Sequence, residues 1–246
     1  MKTFTTIIFL LLFSTLKADE ITCVTYNVNY SFINKKVVPY LEKINADIVC
    51  LQETNAEWET LIKTGLKDKY KHIEFRHSGR AGGLAVLSKY PITKIEYLKN
   101  TFGWFRSAVI TIKKEEDTLQ LLNVHLRPPL SKKGWIGFNT YAKAQVIHVN
   151  ELKLFMEKLN PDLPTLILGD FNENDDGKGL KWLASEKKYT DALPLFDKRT
   201  ETWRFLILRG RYDHIVFNNK IKCIRARVYK LGKSDHFPVF GRFEIN

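Results

Sequence analysis

Cysteine is scarce in this chain: Cys23, Cys50 and Cys223 are all there is, so no disulfide framework holds it together and at least one thiol has no partner within it. None lies at the short spacing of a cysteine-based zinc site, and Cys23 and Cys50 sit in apolar runs that suit buried thiols. Acidic residues are also in deficit, 27 against 39 basic ones, which gives a formal charge of +12. That balance favours polyanionic partners: nucleic acid, anionic membrane or phosphorylated ligands. Long apolar runs are missing too. The stretch from Ile7 to Phe13 is too short to span a bilayer, and no other segment approaches the length a membrane helix needs.

That stretch, preceded by Lys2 and followed by Leu16-Lys17-Ala18, reads as a secretory signal. Residues 1–18 are then a leader and residues 19–246 one catalytic domain, secreted or periplasmic, with a charge of +10 once Lys2 and Lys17 are gone. The surplus is concentrated late, where Lys198, Arg199, Arg204, Arg209, Arg211, Lys220, Lys222, Arg225, Arg227, Lys230 and Lys233 face only Glu201 and Asp213. No linker, repeat or low-complexity segment interrupts the domain, and nothing in it calls for a protein partner, so a monomer is expected.

Alternating and apolar runs predict strands over 21–27, 47–52, 72–76, 83–88, 92–98, 106–113, 118–125, 164–168, 213–218, 222–229 and 237–243. Helices are expected over 35–44, 56–67, 141–159 and 177–187. In 141–159, the stripe Ala142, Val146, Val149, Leu152, Phe155, Met156 and Leu159 should face the core. Strands and helices in two rounds fit an α/β fold: a four-layer α/β/β/α sandwich of two packed mixed sheets flanked by helices. A boundary between two halves near residue 115 suits that pattern.

Polar residues recur where the strand runs give out. Asn27 ends 21–27, Gln52-Glu53 follow 47–52, and His125 ends 118–125. Asp170 and Asn172 follow Leu166-Ile167-Leu168, where Gly169 should let the backbone turn; Asp213-His214 open one strand and Asp235-His236 precede the last. Carboxylate, amide and imidazole groups at the ends of sheet strands suit an oxygen-liganded metal beside a phosphate.

Six strings carry a specific resemblance: Tyr26-Asn27-Val28, Leu51-Gln52-Glu53, Asn123-Val124-His125-Leu126, Gly169-Asp170-Phe171-Asn172, Tyr212-Asp213-His214-Ile215 and Ser234-Asp235-His236. In this order they resemble the endonuclease/exonuclease/phosphatase superfamily, which includes deoxyribonuclease I-like nucleases, neutral sphingomyelinases and inositol-polyphosphate 5-phosphatases. The resemblance runs from about residue 21 to 244. It implies the four-layer sandwich and a Mg²⁺- or Mn²⁺-dependent phosphodiester hydrolysis, with Glu53 the principal metal ligand beside Asn27 and Asp235. It further implies His236 as general base, Asp213 as the carboxylate that orients it, Asp170 and Asn172 as the groups that align water and hold phosphate, and His125 as a group that hydrogen-bonds phosphate or protonates the leaving group. His148 and His214 have no such role and are read as structural.

One departure bears on the substrate. Deoxyribonuclease I-like enzymes carry a Tyr and a Glu where this chain has Arg80-Ala81-Gly82-Gly83, so His125 must find another partner. Segment 127–140, with Lys132, Lys133 and Trp135, follows His125 closely, and its aromatics, like Trp104 and Trp203, suit base stacking, a lipid interface or core packing. The sequence thus points to an exported metal-dependent phosphodiesterase, an endonuclease on DNA or RNA. The alternatives are a secreted phospholipid or sphingomyelin phosphodiesterase working at a membrane surface, and a non-catalytic polyanion-binding module.

Overall fold

The computed structural model describes residues 19–131, 133–135 and 137–246; the leader expected at 1–18 and Lys132 lie outside the described residues. In chain order the elements begin β1 (Asp19–Asn27), α1 (Val37–Ile44), β2 (Ile48–Gln52), α2 (Ala56–Leu66), β3 (His72–Arg76) and β4 (Leu84–Ser88). Then come β5 (Ile92–Leu98), β6 (Ser107–Lys114), β7 (Asp117–His125), α3 (Phe138–Met156), β8 (Thr165–Asp170) and α4 (Lys178–Lys187). The chain continues through β9 (Thr190–Asp191), β10 (Trp203–Phe205), β11 (Leu208–Gly210), β12 (Asp213–Phe217), β13 (Ile221–Val228) and β14 (Val239–Ile245).

Two six-stranded mixed sheets result, ordered β13-β14-β1-β2-β4-β3 and β5-β6-β7-β8-β12-β9, and β10–β11 stand apart as a hairpin. Because successive strand side chains point to opposite faces, each strand supplies two apolar layers. Ile21, Cys23, Ile48 and Cys50 meet Ile110, Leu121, Leu168 and Ile215 between the sheets. Val24, Tyr26, Val49 and Leu51 turn outward onto Leu41 of α1 and Trp58 and Ile62 of α2. On the other side Leu122, Val124, Ile167 and Val216 meet Leu152 and Phe155 of α3 and Leu180 and Leu183 of α4. Helix, sheet, sheet, helix is therefore the order of layers, as the sequence implied, and Cys23 and Cys50 are core thiols.

Three details differ from expectation. The chain changes sheets at 89–91, between β4 and β5; Glu115 and Glu116 form only the tight turn joining β6 to β7 in one sheet, where polar residues serve as well as at a boundary. In α3 the buried face is Ala144, Gln145, His148, Glu151, Leu152 and Phe155, while Val146 is half exposed, because this helix covers buried polar groups rather than only hydrocarbon. Gly169 does not turn the chain but lies within β8 with φ 150, and a Cβ there would fall 1.9 Å from the Val124 carbonyl oxygen of β7.

The late basic run is also redistributed. Lys222, Arg225 and Arg227 line β13, an edge strand whose charges discourage pairing with another chain. Lys222 pairs with Glu244, and Arg211 is buried against Asp175 at 2.9 Å and Asp197 at 3.8 Å.

Candidate active site

The side-chain parity that fills the space between the sheets also builds the site. Positions 21 and 23 of β1, 119 and 121 of β7, 166 and 168 of β8, and 215 and 217 of β12 all point into that space. Asn27, His125, Asp170 and Asp213 continue the same parity at the strand ends, so the hydrocarbon layer becomes polar at its mouth. Register does the rest: His125 lies opposite Asp170, and Asp170 opposite Asp213. Just beneath, Gln52 donates to Asn123 Oδ1 at 2.8 Å and to Thr25 Oγ1 at 3.0 Å, a buried amide floor that ties one sheet to the other.

Asp170 is the hub. Its Oδ2 accepts from Asn27 Nδ2 at 3.0 Å and lies 3.6 Å from both His125 Nε2 and His236 Nε2, while its Oδ1 accepts from the Asn172 amide at 2.9 Å. Burial pushes the Asp170 carboxyl well above the usual range, against the opposing pull of His236. Glu53 emerges from β2 in a left-handed turn, φ 59, its Oε1 accepting from the same Asn27 Nδ2 at 3.0 Å and its Oε2 from the Tyr30 amide at 3.2 Å. Burial raises this carboxyl too. Asn29, Arg80 and Asn172 share the positive φ of Glu53, so strained backbone gathers around the mouth.

His236 Nδ1 lies 2.8 Å from Asp213 Oδ2. Burial alone would lower this imidazole, but Asp213, Asp170 and Asp235 outweigh it and hold its pKa well above the ordinary value. Thr202 Oγ1 accepts from the Asp213 amide at 2.9 Å, and the second carboxylate oxygen, Oδ1, is buried without a partner. Asp235 sits at the rim, where Oδ1 accepts from Asn29 Nδ2 at 3.0 Å and, at 3.4 Å, from Ser234 Oγ, while Oδ2 accepts from Trp203 Nε1 at 2.9 Å and keeps a lone pair to spare. Asn172 spends its own Nδ2 on the Leu126 carbonyl at 2.9 Å, which ties the loop after β8 to the end of β7.

The partner His125 needed is supplied by the segment that departs from the deoxyribonuclease pattern. Its Nδ1 donates to the Ala81 carbonyl at 3.1 Å and its ring stacks on Phe105 with centroids 4.0 Å apart. Burial, then the charge on His236, lowers this imidazole to about 3. With Nδ1 given to the Ala81 carbonyl, Nε2 is the nitrogen that faces the mouth, 3.6 Å from Asp170 and 3.9 Å from Glu53.

A metal fits these residues. Asp170, Asp213 and His236 bring ligand atoms close enough together to hold one ion; Glu53 and Asp235 are further hard oxygen donors at the same mouth, among the described residues no Lys or Arg pairs with these carboxylates, and one Asp213 oxygen is left without a partner. Asn27 would serve as an oxygen ligand with its amide turned over, since its Oδ1 accepts from Asn29 N–H. A second acidic group, Asp175, Asp191 and His214, is a set of ion pairs instead. His214 gives Nδ1 to Asp191 at 2.7 Å and Nε2 to the carbonyls of Arg211 and Glu173, leaving no lone pair for a metal.

His214 lies on the opposite face of β12, toward the helices, and His148 on the buried face of α3, both outside the cluster at the mouth. His148 joins the Arg127 carbonyl to Glu173 at 2.7 and 3.0 Å, and so pins the two loops that carry His125 and Asn172. For His214, burial lowers the pKa but Asp191 more than restores it, to about 9. A group raised in the folded state stabilises fully below its unfolded pKa, about 6.5, and loses that contribution as pH climbs through 9. Asp191→Asn should therefore destabilise the fold at pH 6, by on the order of 3 kcal/mol, and the gap in stability from wild type should close above pH 9; a gap constant across that window would refute the ion pair.

Several residues have a place in the site that the sequence does not indicate: Asn29, the Tyr30 amide, the Ala81 carbonyl, Phe105 and the Gln52–Asn123 floor. Trp203 was noticed only as an aromatic and proves to anchor Asp235. Trp104 carries Arg127 4.5 Å over its ring, whereas Trp135 is 74% exposed.

The family model described as Endonuclease/Exonuclease/phosphatase family matches residues 24–236. No curated protein matches the sequence. Among solved structures, an endonuclease/exonuclease/phosphatase from Beutenbergia cavernae superposes with a TM-score of 0.74 at 15% identity, over 92% of this chain and 72% of that one. Truncated TDP2 of Caenorhabditis elegans gives 0.69 at 17%, over 92% and 98%, and TDP2 of D. rerio complexed with single strand DNA product gives 0.69 at 14%, over 92% and 99%. At such identities the superpositions speak for the fold, while the match over 24–236 takes in Asn27, Glu53, His125, Asp170, Asn172, Asp213, Asp235 and His236 together: the chain belongs to the endonuclease/exonuclease/phosphatase family.

Proposed function

We propose that the chain is an exported, metal-dependent phosphodiesterase acting on DNA or RNA. The observation that carries the reaction type is the Asp213–His236 pair at 2.8 Å, opening onto the Asp170–Asn27–Glu53 cluster at the mouth of the sheet sandwich. Export rests on the leader expected at residues 1–18.

Mg²⁺ or Mn²⁺, held by Glu53 with Asn27 and Asp235 beside it, would supply positive charge to the phosphate oxygens and, by offsetting the carboxylates that hold His236 protonated, bring that imidazole toward neutral range. His236 Nε2 takes a proton from the attacking water, whose oxygen bonds phosphorus as the P–O bond to the departing oxygen breaks; that oxygen takes up a proton from solvent. Asp213 fixes the ring and stabilises the imidazolium that forms. Asp170, within reach of both histidines, aligns the water, and Asn172 holds the loop that presents it. The bare Nε2 of His125 accepts a hydrogen bond from that water or from a substrate hydroxyl.

Nucleic acid is favoured by the charge of +10 on residues 19–246 and by the likeness to a fold solved with a single strand DNA product. A nucleic-acid groove neutralises several phosphates at once and releases their counterions, so affinity falls log-linearly with salt. Binding of inactive His236→Ala protein to duplex DNA, single-stranded DNA and RNA should drop about a hundredfold over a roughly fourfold rise in salt. Salt-insensitive or undetectable binding, with lipid hydrolysis by the intact enzyme, would shift the assignment to a phospholipid phosphodiesterase, a reading that the exposed apolar tip of β10–β11 favours.

A further inference from the structure

Beside the site stands a feature that phosphodiester hydrolysis does not require. Phe205, Leu206, Ile207 and Leu208 form the tip of the β10–β11 hairpin and are 54%, 80%, 91% and 54% exposed. Four consecutive large apolar residues in water are a liability on a soluble surface unless something covers them. Turn chemistry does not explain them either. Leu206 sits at φ 52 in the first position of a two-residue turn, where glycine is ordinarily found.

We propose that this hairpin is an anchor that seats the protein on an anionic phospholipid bilayer. Three observations select that occupant. Leu206, Ile207 and Leu208 have no π face, so stacked bases are poor partners for them. Arg204 and Arg209 lie directly opposite each other one step behind the tip, a like-charge cross-strand pair whose repulsion Glu201, 3.9 Å from Arg209, offsets only in part. Lys198, Arg199, Arg209 and Arg211 line a cleft at the hairpin base together with Asp175, Asp176 and Glu201, so a collar with a small basic surplus follows an apolar point, the order in which acyl chains and phosphates are met on entering a membrane.

The hairpin is also coupled to the catalytic residues. On its other face Phe205 stacks near Trp203 with centroids 6.4 Å apart; Trp203 bonds Asp235 and pairs through its backbone with His236. Seating the tip thus brings the catalytic mouth to the bilayer surface. This goes beyond the proposed function and holds whichever phosphodiester is cleaved.

The test uses the full chain with Leu206→Gly/Ile207→Asp, which relieves the turn while removing the apolar point. Co-sedimentation with mixed phosphatidylcholine/phosphatidylserine vesicles should weaken by about tenfold or more, with turnover of a small soluble phosphodiester unchanged and the melting temperature equal to wild type or higher. A polarity-sensitive dye on Ile207→Cys should shift to the blue when the same vesicles are added, a reading confined to the tip. An unshifted dye would overturn the anchor, as would a concentration-dependent dimer that the double variant dissolves, since a second copy would then be the occupant. Failure of phosphodiester turnover in every protein would instead count against the proposed reaction and leave the dye readout intact.

Discussion

Glu53→Gln is expected to lose phosphodiester turnover by about 10³-fold or more, since a metal at a phosphate contributes several kcal/mol to the transition state. The change keeps the shape of the side chain and its hydrogen bond from the Tyr30 amide while removing the charge that attracts the cation. Burial already disfavours that charge, so the metal-free variant should melt at the wild-type temperature or above it. Two readouts separate metal binding from folding: calorimetric titration with Mn²⁺ should lose its high-affinity phase in Glu53→Gln, and wild-type turnover should vanish in EDTA and return with Mg²⁺. Turnover that persists in EDTA, or in purified Glu53→Gln, would remove the metal from the mechanism.

The second large effect is the coupling of His236 to Asp213. General-base catalysis is worth about 10²–10⁴-fold, and His236→Ala should lose an amount in that range. Asp213→Asn should lose a substantial part of it, because a neutral amide no longer stabilises the imidazolium. The double variant should be little slower than His236→Ala, since a carboxylate that acts through a ring has nothing left to act on. Strictly multiplicative rates would mean that the two residues contribute independently, which their 2.8 Å contact argues against. The metal-free wild type should also hold its His236 proton well above the ordinary histidine range by NMR titration, the direction set by the three surrounding carboxylates.

The strand ends were legible because their chemistry breaks a simple pattern. An apolar run that closes on Asn27, Glu53, His125 or Asp170 places a polar side chain where the core runs out, and one-dimensional periodicity locates such places well. Where the pattern had competing causes it misled. Glu115-Glu116 looks equally like a boundary and a tight turn, and the apolar stripe of α3 was read without knowing that Gln145, His148 and Glu151 would find buried partners. The β10–β11 hairpin was invisible as a hairpin, since Phe-Leu-Ile-Leu contains none of the residues that ordinarily announce a turn.

By itself the sequence determined which groups line the strand exits, that the layers alternate, and that the chain carries a large positive surplus, because all three depend on residue type and spacing alone. Only the tertiary structure decided which neighbours share the site. Asp213 and His214 are adjacent in the chain yet lie on opposite faces of β12, one against His236 and the other latched to Asp191, because each step along a strand reverses the side-chain direction. His125 and Asp170, forty-five positions apart, are brought side by side by the parallel register of β7 and β8. The downward pull on the His125 pKa likewise comes from residues distant in the chain, through burial and then the charge on His236 and against the Ala81 carbonyl, since pKa depends on the surroundings a side chain is folded into and not on its own position in the chain.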